Sequence, residues 1–530
     1  LLKGINLDFG VDKTKISPSY FVPVFIVGFI VCNIMATVLS LFIPIGFSAL
    51  SLITVPAIIL FMRFWGTKNL KSIVDKNNFR FSDIPFWVTG FFLFLFILWL
   101  TTGPIQNSDT YIYHAQSIHW IESYPMIKGL GNFFNRLAYN SNWFIQNALF
   151  SFSFLGNQSF HGLNGLLTFM ISLYFLSEFK LAFYNNDLRI PQITGILLIP
   201  LGLISIGSQS SAPSTDMPVV YLAWFAGYFG MNADSKIQKN LVLFLLTGVT
   251  TFSVVIKISI LPIVVLPILF TLIHIRSIQK KQLVIALVWM ISIALPWMIR
   301  NVFISGYAVY PISATALPVE WRIPSDLVTD DEFGIRAFGF YERAPANEVM
   351  AQPYFNRIKF WFNNLTLNQK SMVLVSFFTP IFFIAIGLLT RVRKIKFFNY
   401  HLLITTTSFY IGILFWLFVS PNLRFGYVYL LFLFSVCCAI IANLLLRISG
   451  VLKKGLGYSA VFAVLVILVF LFTRSFKPED LSQRWLHPLD YGHRSTFPCK
   501  IDNGKATILC ASEYGECGYF PDSACRPRGG

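Results

Sequence analysis

Charge is what this chain has least of. Asp, Glu, Lys and Arg make up 12% of 530 residues, against 55% hydrophobic residues. A soluble domain is usually about one quarter charged, so a water-facing surface cannot be drawn from this composition. The strict apolar–polar alternation of outer-membrane barrel strands is missing as well. Helices are then the way across a bilayer, because backbone groups find no water partner in lipid. No Gly-rich phosphate loop lies on any soluble segment, so nucleotide chemistry has no motif to rest on. Repeats of solenoid length and low-complexity linkers are also missing. No cleavable leader is read, and with Leu1 as the first residue the natural start is expected to lie upstream. Acidic residues number 24 against 41 basic ones, a formal net charge of +17. Nucleic acid is not the implied partner, because the Lys and Arg residues sit mostly in short loops between apolar runs, where they set membrane orientation.

Apolar runs are what the chain has in abundance. Phe alone occurs 56 times, and runs near twenty residues recur throughout. Such a run covers the ~30 Å of a bilayer core as a helix. The expectation is an all-α polytopic protein with about thirteen spans, near 19–41, 43–62, 83–103, 162–182, 188–208, 213–231, 240–256, 258–275, 283–303, 371–390, 399–419, 427–447 and 456–473. Only Lys257 and its neighbours separate the seventh from the eighth. If the spans alternate, four basic loops share one side: Arg63 to Arg80, Arg276 to Lys281, Arg391 to Lys396, and Arg447 to Lys454. That side is read as cytoplasmic, with the N-terminus inside and a bacterial cytoplasmic membrane as the location. Segments 104–161 and 304–370 then form large outer loops on a membrane domain of residues 1–473, and 474–530 forms an extracytoplasmic tail.

The cysteines point the same way. Cys32, Cys437 and Cys438 fall within spans, whereas Cys499, Cys510, Cys517 and Cys525 all fall in the last 32 residues. Four cysteines in a short polar segment suggest two disulfides in an oxidising compartment. A zinc site is the competing reading, although Cys517 and Cys525 lack tight metal-ligand spacing.

Ionisable groups at membrane depth or at span ends are costly to bury, so each is a functional candidate. Asp109 follows the third span and opens a segment in which Asp109, Tyr113 and Trp120 share a helix face that suits the membrane interface. A carboxylate there beside aromatic rings suits a general base acting on an acceptor hydroxyl; helix capping by Ser108 or Asp109 is the plainer alternative. Arg136, among Asn and Tyr residues, is either a phosphate or sugar grip or an ordinary surface arginine. Asp216 opens the sixth span in Ser214-Thr-Asp-Met-Pro218, where capping again competes. Lys257 sits at an outer turn with only apolar neighbours, so its partner must come from the fold or a ligand. Arg300 closes the ninth span, and Arg424 lies in the short outer loop Ser420-Pro-Asn-Leu-Arg-Phe-Gly-Tyr427. The planar fork of arginine matches a lipid phosphate at that depth, against which simple snorkelling competes.

In their order along the chain these residues resemble the GT-C superfamily of membrane glycosyltransferases, which includes protein mannosyltransferases and enzymes that decorate lipid A with aminoarabinose. Asp109 is similar to the acidic residue near the start of the family's large first outer loop. Asp216-Met-Pro resembles its later acidic position, and Lys257 a Thr-Lys or Ser-Lys site. The run Pro296-Trp297-x-x-Arg300-Asn301, with Gly306 and Tyr310-Pro311 behind it, is the most specific likeness, and Arg424-Phe-Gly-Tyr427 resembles a late Arg-Tyr motif. Where the family shows an Asp-Glu pair this chain has Asp109-Thr110, two spans precede the usual first one, and the cysteine-bearing tail has no counterpart.

The resemblance implies a GT-C-like fold, interfacial helices in the first outer loop, and a polyprenyl-phosphate sugar donor used outside the membrane. Asp109 would act as general base. Arg136, Asp216, Lys257, Arg300, Asn301, Arg424 and Tyr427 would contact substrate or lipid phosphate, with inversion at the anomeric centre. No cofactor is certain, and a divalent metal stays open though it is not indicated. The acceptor stays open among glycan, lipid and protein. Surface-polysaccharide polymerases or ligases, a transporter, and a non-enzymatic assembly component remain the competing readings.

Overall fold

The computed structural model describes residues 18–74, 81–155, 159–233, 239–341, 345–392, 398–448 and 453–476, and the backbone of 496–501, 506–511 and 523–524. The described chain is helical up to residue 475. It begins with α1 (Pro18–Leu39), α2 (Phe47–Val74) and α3 (Ile84–Thr101). The first large loop follows, with α4 (Ala115–Ser123) and α5 (Asn142–Leu149). Next come α6 (Leu163–Tyr184), α7 (Ile190–Ile206), α8 (Asp216–Met231), α9 (Lys239–Ile256), α10 (Val265–His274) and α11 (Lys280–Ser305). The second large loop carries α12 (Ser325–Phe340), α13 (Ala346–Ala351) and α14 (Tyr354–Asn363). The chain continues through α15 (Leu367–Phe377), α16 (Thr379–Val392), α17 (Tyr400–Val419), α18 (Leu423–Ile448) and α19 (Lys453–Ser475).

Among the described residues, nine helical stretches are long and apolar enough to cross a membrane: Pro18–Leu39, Ile84–Thr101, Leu163–Tyr184, Ile190–Ser211, Lys239–Ile256, Lys280–Ser305, Tyr400–Val419, Leu423–Leu446 and Gly457–Ser475. By length and composition this is a multi-pass helical membrane protein. The thirteen expected spans differ from these nine for physical reasons. The helix pair Leu367–Phe377 and Thr379–Arg391 is bent by 60°. Phe47–Arg63 and Ile258–His274 are apolar but shorter. Finally, α8 has 16 residues, every one of them buried. Helix α8 is buried all round by protein, so it need not match a bilayer's thickness by itself.

Packing is tightest between α7 and α18, between α9 and α11, and between α8 and α9. Helices α17 and α18 approach closely because small residues face aromatic rings. A Cβ at Gly412 would stand 2.1 Å from the Tyr429 ring, and one at Gly426 would stand 2.5 Å from Trp416. Where lipid gives no hydrophobic drive between helices, such close fits supply dispersion instead.

Within the first large loop, α5 lies inside the protein. All residues of α5 are buried, so it is an internal element rather than a surface one. Polar groups hold it there. Asn33 of α1 donates to Asn142 O at 2.8 Å and to Gln146 Oε1 at 2.9 Å, and Asn142 returns a bond to Asn33 Oδ1 at 2.9 Å. The expected tail forms a small sheet in which β1 (Thr496–Ile501) pairs antiparallel with β2 (Ala506–Ala511), which pairs parallel with β3 (Ser523–Ala524). The strand pairing departs from an all-α reading for these residues. The expected disulfides involve Cys499, Cys510, Cys517 and Cys525, whose side chains lie outside the described residues.

Candidate functional site

Four chain segments far apart in sequence bring four charged side chains together. Arg424 Nη2 lies 3.0 Å from Asp109 Oδ2. Its Nε lies 3.0 Å from Asp216 Oδ2, an ion-pair contact rather than an aligned hydrogen bond. Lys257 Nζ pairs with the other oxygen of Asp216. The order is therefore Asp109, Arg424, Asp216, Lys257, with Arg424 gripping both carboxylates.

Local structure explains how each side chain is aimed. Asp109 precedes a π-helical turn, Thr110–His114, and makes no side-chain cap bond. Its backbone N–H donates to Asn107 Oδ1 at 2.9 Å, and Asn107 in turn donates to Gln209 Oε1 at 2.6 Å. Asn107 thus does the capping and leaves the Asp109 carboxylate for Arg424, so the capping alternative for Asp109 falls. Widened turns of this kind are frequent at functional sites. Asp216 is the first residue of α8, where the helix dipole favours a carboxylate. Ser214 Oγ accepts from the Asp216 N–H at 3.3 Å, so here too a neighbour takes the capping role. Lys257 stands between α9 and a short helix, Ile258–Val264, in extended backbone at φ −152° and ψ 116°. That break turns its ammonium inward, 4.1 Å from the centre of the Phe425 ring. Arg424 is set by Asn422, whose Oδ1 accepts from the Arg424 N–H at 2.9 Å, and Trp416 Nε1 holds Asn422 O at 2.7 Å.

A hollow of about 210 Å³ opens beside the cluster, lined by Asp216, Lys257, Ser259, Arg424 and Phe425 among others. Asp216 is 4% exposed, whereas Asp109 is 27% exposed. The inner carboxylate is locked between two cations, and the more exposed one lies on the side of the first large loop.

A second polar group adjoins the first. Tyr139 donates to Asp331 Oδ2 at 2.5 Å and Tyr310 to the same oxygen at 3.2 Å, while Arg136 Nη1 donates to the Tyr139 hydroxyl at 3.4 Å. Asp331 on α12 thereby ties the second large loop to the first. Burial opposes the charge of Arg136, but Tyr139, Asp331, Tyr113 and Asp109 around it outweigh that and push its pKa above the ordinary value. Tyr113 lies between the groups, its ring 5.8 Å from that of Tyr139. Burial and then Asp109 raise the pKa of its phenol, so it stays protonated. Burial lowers the pKa of His114 to about 4, which keeps it neutral at physiological pH.

Of the residues read from sequence, Asp109, Asp216, Lys257 and Arg424 converge and Arg136 adjoins them. Arg300 does not join. It is buried in α11, with Nε on Asn140 Oδ1 at 3.0 Å and Nη1 on Ser40 Oγ at 2.9 Å. Asn301 donates to Ala308 O at 3.1 Å and so shapes the turn after α11. Tyr427 packs against the main apolar core. Asp331 went unread, because it stands in the acidic run Asp330-Asp331-Glu332; in the structure it lies three residues after the fully buried Val328, on the inward face of α12. Among the described residues, no group of three or more His, Cys, Asp or Glu stands ready to hold a metal ion.

The fold and site define a multi-pass helical membrane protein with a half-buried cluster of two acidic and two basic side chains at the junction of its helices and first large loop. The chain belongs to the family described as a domain of unknown function, DUF8201, whose profile matches residues 4–431. That match contains every residue of the cluster. No curated protein and no solved structure matches the chain.

Proposed function

We propose that the protein transfers a sugar from a polyprenyl-phosphate donor to an acceptor on the extracytoplasmic face of a bacterial cytoplasmic membrane, in the manner of a GT-C glycosyltransferase. The observation that carries this reading is the convergence of Asp109, Arg424, Asp216 and Lys257 beside a hollow at the mouth of the helical domain. In this reading all thirteen apolar segments serve the membrane domain, including the short, bent and buried ones.

The donor phosphate draws Arg424 and Lys257 toward itself, and Arg424 loosens its hold on Asp109. Asp109 then accepts the proton of the acceptor hydroxyl as that oxygen bonds to the anomeric carbon. The bond from that carbon to the phosphate oxygen breaks, and its electron pair stays on the phosphate. Arg424 and Lys257 stabilise the charge that develops there. Asp216, held at the helix start, keeps both cations in place. A single displacement of this kind inverts the anomeric centre.

The test uses purified protein in lipid nanodiscs with a polyprenyl-phosphate hexose labelled in the sugar. In the presence of cell-envelope acceptors, label should leave the lipid and become covalently attached to another molecule. A lipid-linked donor series from which no label ever moves sinks the reading.

One observation favours a second reading. The helix break at Lys257 resembles the discontinuous helices that line substrate paths in transporters. A transporter would carry solute across a sealed proteoliposome with its covalent structure intact, so the same labelled lipid separates the two.

A further inference from the structure

A second hollow, of about 300 Å³, lies between the first outer loop and α11, lined by Ser117, Trp120, Tyr139, Asn140, Arg300 and Phe144 among others. The hollow is narrow and partly open to solvent, so it suits one small group rather than a chain.

Half of its polar lining residues are already committed within the protein. Asn140 accepts from Arg300 Nε at 3.0 Å through its side chain and from Trp297 Nε1 at 2.5 Å through its carbonyl, and its amide donates to Trp297 O at 3.2 Å. Ser141 Oγ donates to Ile256 O at 2.7 Å and accepts from the Trp143 N–H at 3.1 Å. The Tyr139 hydroxyl donates to Asp331.

Three positions are left over, and all three donate. Trp120 Nε1 and Ser117 Oγ are buried with no hydrogen-bond partner among the described residues. Arg300, 4% exposed, uses Nε on Asn140 and Nη1 on Ser40, which leaves Nη2 without a bond and the guanidinium without a carboxylate at ion-pair distance among the described residues. A buried cation with no counter-charge is costly, and so are unpaired buried donors.

The geometry points to an oxyanion subsite here, in which Arg300 Nη2, Trp120 N–H and Ser117 O–H receive a carboxylate or phosphate group of the acceptor. Assignment to the acceptor rests on the transferase reading; the anion subsite itself does not. The site sits next to the charged cluster, because Tyr139 lines it and also faces Tyr113 and Arg136. An acidic substituent held there would bring a neighbouring hydroxyl toward Asp109. Arg300 thereby has a ligand role separate from the lipid phosphate.

The experiment is equilibrium dialysis of the full chain in detergent with glucuronate, inorganic phosphate and, as the neutral control, glucose. Glucuronate or phosphate should bind in preference to glucose, and whichever binds more tightly identifies the group as a carboxylate or a phosphate. Trp120→Phe keeps the ring but removes the N–H. It should raise the Kd by roughly 10- to 100-fold, the loss of one hydrogen bond to a charged group. Arg300→Lys should weaken binding too. Glucose binding as well as the anions, no anion binding at all, or an unchanged Kd in Trp120→Phe would each overturn the subsite. If anions bind as stated but no sugar is ever transferred, the subsite stands and the transferase reading falls.

Discussion

Replacing Asp216 by Asn tests whether the charged cluster is an interlocked unit. Asp216 is 4% exposed and takes Lys257 on one oxygen and Arg424 on the other. Removing one partner of a buried ion pair costs about 3–5 kcal/mol, because an uncompensated charge is left behind. The two cations do not suffer equally. Arg424 keeps Asp109 at 3.0 Å, whereas Lys257 keeps only the ring of Phe425. A cation over a ring is worth about 0.5–2 kcal/mol, so the expected loss is near the lower end, about 3 kcal/mol. That shifts the unfolding equilibrium by roughly a hundredfold. The assay is reversible unfolding by sodium dodecyl sulfate in mixed micelles, followed by circular dichroism. Replacing Lys257 by Met in the same molecule removes the orphaned charge, so the double variant should recover about 2 kcal/mol relative to Asp216→Asn alone. A single variant within about 1 kcal/mol of wild type, or a double variant no better than the single, refutes the argument that these charges depend on each other.

Three further outcomes follow from the same geometry. Arg424→Lys keeps the charge and loses the fork that spans two carboxylates, so donor affinity measured with a polyprenyl phosphate should fall with the fold intact; normal affinity in Arg424→Ala would show that the residue serves packing alone. His114 is buried and neutral, with its pKa lowered to about 4, so protonation is easier in the unfolded chain, near 6.5. Stability should therefore decline as pH falls from about 6.5 toward 4, by up to about 3 kcal/mol from this residue, and His114→Gln should flatten that part of the profile. A membrane-impermeant thiol reagent on reduced, intact spheroplasts should label Cys499, Cys510, Cys517 or Cys525, and labelling only after permeabilisation would reverse the orientation.

The helical membrane class was legible because it needs only composition and run length. Span number was less so. Run length cannot register that α8 is shielded by protein on every side or that the chain bends by 60° between α15 and α16. The charged cluster was legible in its members, since an ionisable residue at a span end stands out against apolar surroundings, and Asp109, Asp216, Lys257 and Arg424 all had that setting. Their pairing was not, because it joins positions 109, 216, 257 and 424 through helix packing that no local pattern encodes. Arg300 shows the converse. Its motif and its place at a span end matched the others, yet Asn140 and Ser40 draw it to a different hollow. Asp331 was hidden within an acidic run that reads as solvated surface, and only the burial of its own helix face sets it apart from Asp330.

The central claim is that Asp109 is the base of a lipid-linked sugar transfer, and turnover by Asp109→Asn tests it most directly. The residue is 27% exposed and makes one ion pair, so its loss should cost little stability, about 0–1 kcal/mol. Asn cannot take a proton from a hydroxyl at neutral pH, so transfer from a labelled polyprenyl-phosphate sugar should fall by roughly 10²–10⁴. Donor binding should persist, because Arg424 and Lys257 remain. A folded Asp109→Asn protein that transfers sugar at the wild-type rate would contradict the account.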